Sequence, residues 1–503
     1  MSEAAVGTRF EILDQPPYNY YRMFCDVARL KDGSRHLFFG GWYWIRVSHA
    51  EGAQESYRYV LVFDNGLAVY DMEALMSHGI AFRRIPEAKP RTRWPPAKLL
   101  EFLGGKEPNP GVDSVYDMVL EAYKRYIDYP DPRDAMLLAL YTIQTYLMPV
   151  FHTTAYILFT GAKRSGKSRN LEVAEQLVFN PIRTVDMTPA SLFRIIEDWQ
   201  ATMLIDESDL DFPDTDSLIR RILLAGYKRG NTVARAEKTK KERHIVEQFD
   251  VFGPKMIVAP FGVSAGMRDQ MLFDRCIPVI MERTANAELS KRRIDPEDPF
   301  WPDARHHLYL FALKKWREVE ENYLNMPSKL QLISREYEKW APLFAIAECF
   351  GLYDELEKYC REKVGEVALE EEAEAPEIQL LRYLIHHFSH ACEDPLATSH
   401  TVTEYTAKNQ PVTMLMTARQ VGEEKGFLIN VGELAAAVEA YFGKDSWTNS
   451  RRIGRIMTSV LGFNKKPYKT VIRGKPHYWL TRAKLEQLAE KYGVSFEDPL
   501  GTL

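Results

Sequence analysis

The residues with the clearest chemical potential lie between 156 and 207. The stretch FTGAKRSGKSRN, residues 159–170, places Gly161 and Gly166 five positions apart, followed at once by Lys167 and Ser168. Glycines at this spacing let the backbone curl until its N–H groups face a phosphate. A lysine then reaches the β and γ oxygens of a nucleotide, and a hydroxyl helps to hold Mg²⁺. The loop Gly161, Ala162, Lys163, Arg164, Ser165, Gly166, Lys167, Ser168 and Arg169 is therefore the expected nucleotide cradle, with ATP and Mg²⁺ as ligands. Further along, ATMLIDESD ends an apolar run in Asp206 and Glu207. A carboxylate at a strand end beside a phosphate loop can hold the metal, and its neighbour can orient and deprotonate water. Ser168 and Asp206 are thus the expected metal residues, Glu207 the general base, and Lys167 the catalytic cation.

These groups work only if strands and helices bring them together. The apolar run YILFT precedes the loop and the helix-capable RNLEVAEQLV follows it. Further runs RTVD, ATMLID, KMIVA and IPVIM alternate with helix-like segments. Such alternation predicts a mostly parallel α/β sheet with ligands at the carboxyl strand ends. Before it, LFFGGWYWIRV, YRYVLVFDN and LAVYD read as strands broken by Gly and Asn turns. No catalytic motif is visible there, which suits a collar or a partner-binding module.

A chain of 503 residues with 46% hydrophobic and 27% charged residues is globular and large enough for several domains. Five cysteines without a CxxC pair argue for a reducing compartment and against structural zinc. No apolar run reaches the roughly 18 residues of a membrane helix, so a soluble cytoplasmic protein is expected. The net charge of −5 conceals segregation. Lys228 to Arg243 carries seven basic residues against Glu237 and Glu242, and Arg451 to Lys484 carries ten with no acidic one, whereas Val364 to Glu377 is acidic.

The second basic field lies in a segment that reads as three helices and a wing. TARQVGEEKGF and VGELAAAVEAYF are expected helices. TNSRRIGRIMTSVLGF is the third, with Arg451, Arg452 and Arg455 largely on one face, and Arg473 and Lys475 turn between two strands in KTVIRGKPHYWLT. This pattern describes a winged helix whose basic half suits duplex DNA.

The words GAKRSGKS, SLFRIIEDWQATMLIDESD, LLAGYKRGNTVAR, FDVFGPKMIVA, FDRCIPVIMER and SREYEKWAPLFAIAECFG together resemble the additional-strand P-loop ATPases. The likeness is to the AAA+ helicase branch, as carried by phage, plasmid and other mobile elements and distantly similar to MCM and superfamily 3 helicases. It runs from about Asp131 to Lys491. The resemblance implies that Arg275, in FDRC, reaches the γ-phosphate on a neighbouring subunit, with Arg268 and Arg283 as substitutes. It implies that Arg335 is the second sensor arginine on a helical lid, contacting phosphate as the lid closes. Such proteins usually end the KMIVA strand in Asn, Thr or Ser, but Ala259 and Pro260 stand here, leaving the role to a group such as Ser264 or to none. Residues 208–254 make an insert longer than a helix and turn require, and in the family that this chain resembles a hairpin at this place projects into the channel of a ring. NTVARAEKTKKERHIVEQF reads as strand, basic turn, strand, with Lys238, Lys240, Lys241 and Arg243 near the tip for single-stranded DNA.

The expected fold is an α/β P-loop NTPase core of AAA+ type with an N-terminal β-rich domain, helical flanks and a C-terminal winged helix. Its parts are 1–105 β-rich, 106–150 helical, 151–284 ATPase core, 285–375 helical lid, 376–414 helical linker and 415–503 winged helix. The expected function is a ring-forming, hexameric ATP-dependent DNA helicase or translocase acting in replication or mobilisation of a genetic element. An ATP-switched initiator or loader that never separates strands is the alternative, and an ATPase of an anti-phage defence system would keep the same core.

Overall fold

The strand-forming runs between 156 and 281 build one sheet. The computed structural model describes residues 18–49, 52–85, 92–184, 189–206, 218–238, 244–259, 270–374, 376–392, 398–406, 409–421, 424–443, 447–463, 468–472 and 474–496. Numbering the strands of this sheet in chain order, β1 is Tyr156–Gly161, β2 Pro181–Thr184, β3 Thr202–Ile205, β4 Lys255–Val258 and β5 Cys276–Met281. They lie in the order β5-β1-β4-β3-β2, and every neighbouring pair is parallel. The fold is thus mixed α/β with a parallel sheet, compatible with a phosphate-loop core. β1, β3 and β4 are buried along almost their whole length, as continuous apolar runs covered on both faces must be.

Helix Lys167–Leu177 connects β1 to β2, helix Pro189–Trp199 connects β2 to β3, and helix Leu218–Ala225 follows the acidic strand. Strands Thr232–Lys238 and His244–Asp250 form a separate two-stranded antiparallel hairpin, in register from Thr232–Asp250 to Lys238–His244.

The N-terminal strands Cys25–Arg29, Arg35–His49, Gly52–Phe63 and Ala68–Val69 form an antiparallel meander. They were expected as a separate domain, but residues 1–364 form one unit with a continuous core. The reason is aromatic packing. Tyr309, on the long helix Phe300–Lys329, stacks on Trp94 at 4.6 Å and meets Phe39 of the meander edge-on at 4.8 Å. It also meets Tyr146 at 5.0 Å, just beyond helix Arg133–Thr145. Helices Ser334–Glu348 and Tyr353–Glu374 follow the long one.

Residues 365–503 form the second unit. The expected helical linker 376–414 is a helix, Pro376–Ala391, followed by strands Ser399–Tyr405 and Pro411–Val421. The helix expected over 417–427 is likewise a strand pair, Thr417 facing Leu428 and Val421 facing Glu424. Buried Met414 and Met416 alternate with exposed Leu415 and Thr417, and this period of two sets the segment on a sheet. The unit's antiparallel sheet runs Ser399–Tyr405, Pro411–Val421, Glu424–Asn430, Lys475–Thr481, Lys469–Ile472. Helices Val431–Phe442 and Ser450–Arg455 separate Glu424–Asn430 from the last strand pair, the second helix continuing as a π turn over Ile456–Val460, and Arg482–Tyr492 closes the chain's helices. All five cysteines are free thiols, and no helix among the described residues is long and apolar enough to cross a membrane.

Candidate nucleotide site and nucleic-acid interface

The loop after β1 has the backbone that its glycines permit. Gly161 has φ +132°, and a Cβ there would meet the Met281 carbonyl oxygen of β5 at 2.0 Å, so no side chain fits. Gly166, at φ +89° in the left-handed region, leads into helix Lys167–Leu177, and nothing lies within 4 Å of where its Cβ would be. The Arg169 and Asn170 N–H groups return to the Gly166 carbonyl at 3.1 and 3.3 Å, and the first turn carries the positive end of the helix dipole, which favours an anion.

The charged groups of the loop are arranged around that space. Lys167 is buried, its Nζ donating to the carbonyls of Gly161 at 2.7 Å and Ala162 at 3.1 Å. Ser168 Oγ donates to Asp206 Oδ1 at 3.1 Å, although 38 positions separate them in the chain. Ser165 Oγ is buried and has no hydrogen-bond partner among the described residues. Arg283 Nε holds the Lys163 carbonyl at 3.0 Å and Arg169 the Ser290 carbonyl at 3.3 Å, while Ala162, Lys163 and Arg164 are exposed. A hydroxyl beside a carboxylate, a lysine resting on carbonyls, an orphan hydroxyl and an open glycine cradle form a donor set that fits a nucleotide phosphate and a hard divalent cation. Glu207, the expected base, lies outside the described residues.

Two groups escape sequence reading. Arg183, on β2, sits 3.4 Å from Asp206 Oδ2, and lies 3.7 Å from Glu172 and 3.8 Å from Glu175 on the loop's helix. Only its place near the carboxyl end of a strand could have signalled it. Asn170 Nδ2 donates to the Gly166 carbonyl at 3.2 Å and Asn170 accepts from Tyr129 at 2.7 Å, fixing the first turn.

Arg275 lies at the other end of the strands. Its carbonyl accepts from the N–H of Tyr156, the first residue of β1, whereas the phosphate loop leaves from the last. Its guanidinium donates to the carbonyls of Leu224, at 3.2 Å, and Met271. Arg335 is also here, with Nε 3.1 Å from Asp274 Oδ2 and Nη1 3.6 Å from Glu338. Both guanidiniums lie against the Tyr227 ring, at 5.9 and 5.1 Å. The resemblance implies that Arg335 contacts phosphate as a lid closes; in this structure its guanidinium is away from the phosphate loop. Asp274 and Glu338 hold it beside Arg275, a full strand length away. Just past the end of β4, buried Ala259 donates its N–H to the Phe159 carbonyl at 2.9 Å and has no polar side-chain group. Pro260, Ser264 and Arg268 lie outside the described residues.

Lys238 ends the first strand of the hairpin, opposite His244. Lys240, Lys241 and Arg243 lie outside the described residues, as does Arg473. In the second unit Arg451, Arg452 and Arg455 are exposed on one short helix, whose N-cap Asn449 accepts from the Arg452 N–H at 3.0 Å, and Lys475 is exposed on the last strand.

No family model matches this chain, and no curated protein does. Among solved structures, one described as "SCCmec type IV Cch - active helicase" is 13% identical, with a TM-score of 0.41 over 97% of this chain and 100% of that one. Another, "The A form apo structure of NrS-1 C terminal region-CTR", is 11% identical, with a TM-score of 0.30 over 84% and 93%.

Proposed function

We propose that the chain is an ATP-dependent DNA helicase or translocase of AAA+ type that works as a ring, a hexamer. The observation that carries the reading is the contact of Ser168 Oγ with Asp206 Oδ1 at 3.1 Å beneath the open Gly161–Gly166 loop. The strand order supports it, since β4 lies between the loop strand β1 and the acidic strand β3, the extra strand for which additional-strand ATPases are named.

In this reading the loop's N–H groups and Lys167 bind the β and γ phosphates of ATP, Lys167 exchanging two carbonyls for anionic oxygens. Ser168 and Asp206 would hold Mg²⁺, which when bound neutralises phosphate charge. Glu207 orients the attacking water and takes its proton. Arg275, with Arg335 beside it, faces outward at the far strand end and stabilises charge at a neighbour's γ-phosphate, which ties hydrolysis to assembly. The Lys238–Arg243 hairpin grips a single strand by its phosphates. In the second unit the helices Val431–Phe442 and Ser450–Arg455, followed by the strand pair Lys469–Ile472 and Lys475–Thr481, support a winged helix that binds duplex.

The test is phosphate release and forked-duplex unwinding by the full chain. The parent should hydrolyse ATP faster with single-stranded DNA and unwind the fork, and Lys167→Ala should do neither. A Lys167→Ala protein as active as the parent would sink the proposal. Lys240→Ala with Lys241→Ala should abolish unwinding and spare duplex binding; unwinding left intact would remove the hairpin from the motor.

A further inference from the structure

The second unit contains a groove of about 460 Å³ lined by Ser450, Arg451, Arg455, Thr458, Lys469 and Tyr478, together with small and apolar neighbours. It lies between the helix starting at Ser450 and the strand pair Lys469–Ile472 and Lys475–Thr481. Tyr478 Oη donates to the Gly454 carbonyl at 3.3 Å across it, and Thr458 Oγ1 to the same carbonyl at 2.8 Å, so its floor is internally satisfied.

Its walls are electrostatically one-sided. Arg451 and Arg455 are one helical turn apart, where like charges destabilise a helix by roughly 0.2–0.5 kcal/mol, and Lys469 adds a third cation. None of the three is in an ion pair among the described residues, and no carboxylate lines the groove. Small-molecule pockets are mostly apolar with a few polar groups. This one presents cations and hydroxyls along an open channel, the chemistry of a polyanion. Among the described residues its lining has no Asn, Gln, Asp or Glu, the types that with arginine discriminate base edges. Arg452, adjacent in sequence, is outside the groove.

We propose that this groove is a clamp for the sugar-phosphate backbone of one strand of a DNA duplex, held by Arg451, Arg455 and Lys469 without regard to sequence. The inference rests on the reading of the chain as a DNA-acting protein and adds to it how the second unit engages duplex: along a strand, through phosphates. Each phosphate neutralised releases condensed counterions, so log K falls with log salt concentration by about 0.9 per contact.

The experiment uses the full chain, two fluorescent 30-base-pair duplexes of unrelated sequence and a salt series, read by anisotropy. The triple variant Arg451→Gln, Arg455→Gln, Lys469→Gln should bind both duplexes at least about tenfold more weakly at low salt, with a salt slope shallower by about 2 to 3. Lys469→Glu alone should weaken both by a similar factor for the two sequences, and it serves if the triple variant unfolds. Unchanged affinity and slope in Lys469→Glu would overturn the clamp while leaving a DNA-binding parent, and hence the wider reading, intact. A loss confined to one sequence would overturn it in favour of base readout. A parent that binds neither duplex and shows no DNA-stimulated hydrolysis would overturn both.

Discussion

If Arg275 acts on a neighbour's nucleotide, two inactive proteins should restore activity to each other. The distance argument is simple. Arg275 pairs through its carbonyl with Tyr156 at the start of β1, and the phosphate loop leaves that strand at Gly161. Five residue steps at about 3.3 Å put the two ends about 17 Å apart, beyond the reach of an arginine side chain that is already tied to Leu224 and Met271. Arg275→Ala should therefore leave ATP binding near the parent's while lowering kcat about 10³-fold, equivalent to about 4 kcal/mol of barrier. Lys167→Ala should also be inactive. In a ring assembled at random from equal amounts of the two, a site works when an Arg275→Ala subunit holds the nucleotide and a Lys167→Ala subunit offers the arginine. That combination occurs at about a quarter of interfaces, so phosphate release should recover to about a quarter of the parent's rate. Mixtures that co-assemble, as seen by light scattering, and yet stay as dead as their components would refute the trans role. So would Arg275→Ala at the parent's rate.

Further outcomes follow from single contacts. Asp206→Asn keeps the shape beside Ser168 but removes the charge, and it should raise the Mg²⁺ concentration for half-maximal hydrolysis at least about tenfold; an unchanged requirement would move the metal elsewhere. Gly161→Ala must push a methyl into the Met281 carbonyl at a positive φ, so fluorescent ATP binding should be lost; parent-like binding would show that the loop adapts. His306 is buried, accepts at Nδ1 from the Trp94 indole, and burial pushes its pKa down to about 4. Because the unfolded chain takes up that proton near 6.5, stability is fully present above pH 6.5 and falls as pH drops towards 4, by at most about 3 kcal/mol. Thermal melts from pH 7 to 5 should show this fall in the parent and a flatter profile in His306→Gln; parallel profiles would exclude the histidine.

The strands around the site were legible because a buried parallel strand is a continuous apolar run, and the glycine loop because its spacing has a mechanical reason. Their lateral order was not, since nothing in KMIVA says which neighbours it will pair with. The Ser168–Asp206 pairing follows only once β4 is inserted between β1 and β3. The surroundings of Arg335 were hidden for the same kind of reason: its helix could be read, but the ion pairs that hold it, with Asp274 and Glu338, belong to the three-dimensional packing. The segment 417–427 is expected as a helix, but the alternation of Met414 and Met416 just before it already has a period of two, and cross-strand pairing sets it on the sheet.

The N-terminal segments on either side of the meander, silent in sequence, acquire a mechanical reading from the base of the hairpin: strands Asn19–Tyr21 and Ile80–Phe82 pair with each other, and Arg22 and Arg84 lie just beyond them. Arg22 pairs with Asp250, the last residue of the hairpin's second strand. Arg84 pairs with Glu247 at 2.9 Å and lies 4.1 Å from the Phe249 ring centroid. From the other side, helix Pro189–Trp199 supplies Glu197, which accepts from the Asp250 N–H, and Phe193, which packs on Phe249 at 4.4 Å. A two-stranded ribbon alone is marginally stable. In the proposed motor a ribbon that grips phosphates under load must pass force into the sheet whose ends carry the nucleotide chemistry. Helix Pro189–Trp199 leads into β3, which Asp206 directly follows, so the hairpin base and the proposed metal carboxylate are joined through one helix and strand. Replacing Arg22 and Arg84 with Gln should uncouple the two: DNA-free ATP hydrolysis near the parent's rate, with stimulation by single-stranded DNA and unwinding reduced several-fold. Equal losses in hydrolysis with and without DNA would mean that these two arginines only stabilise the core.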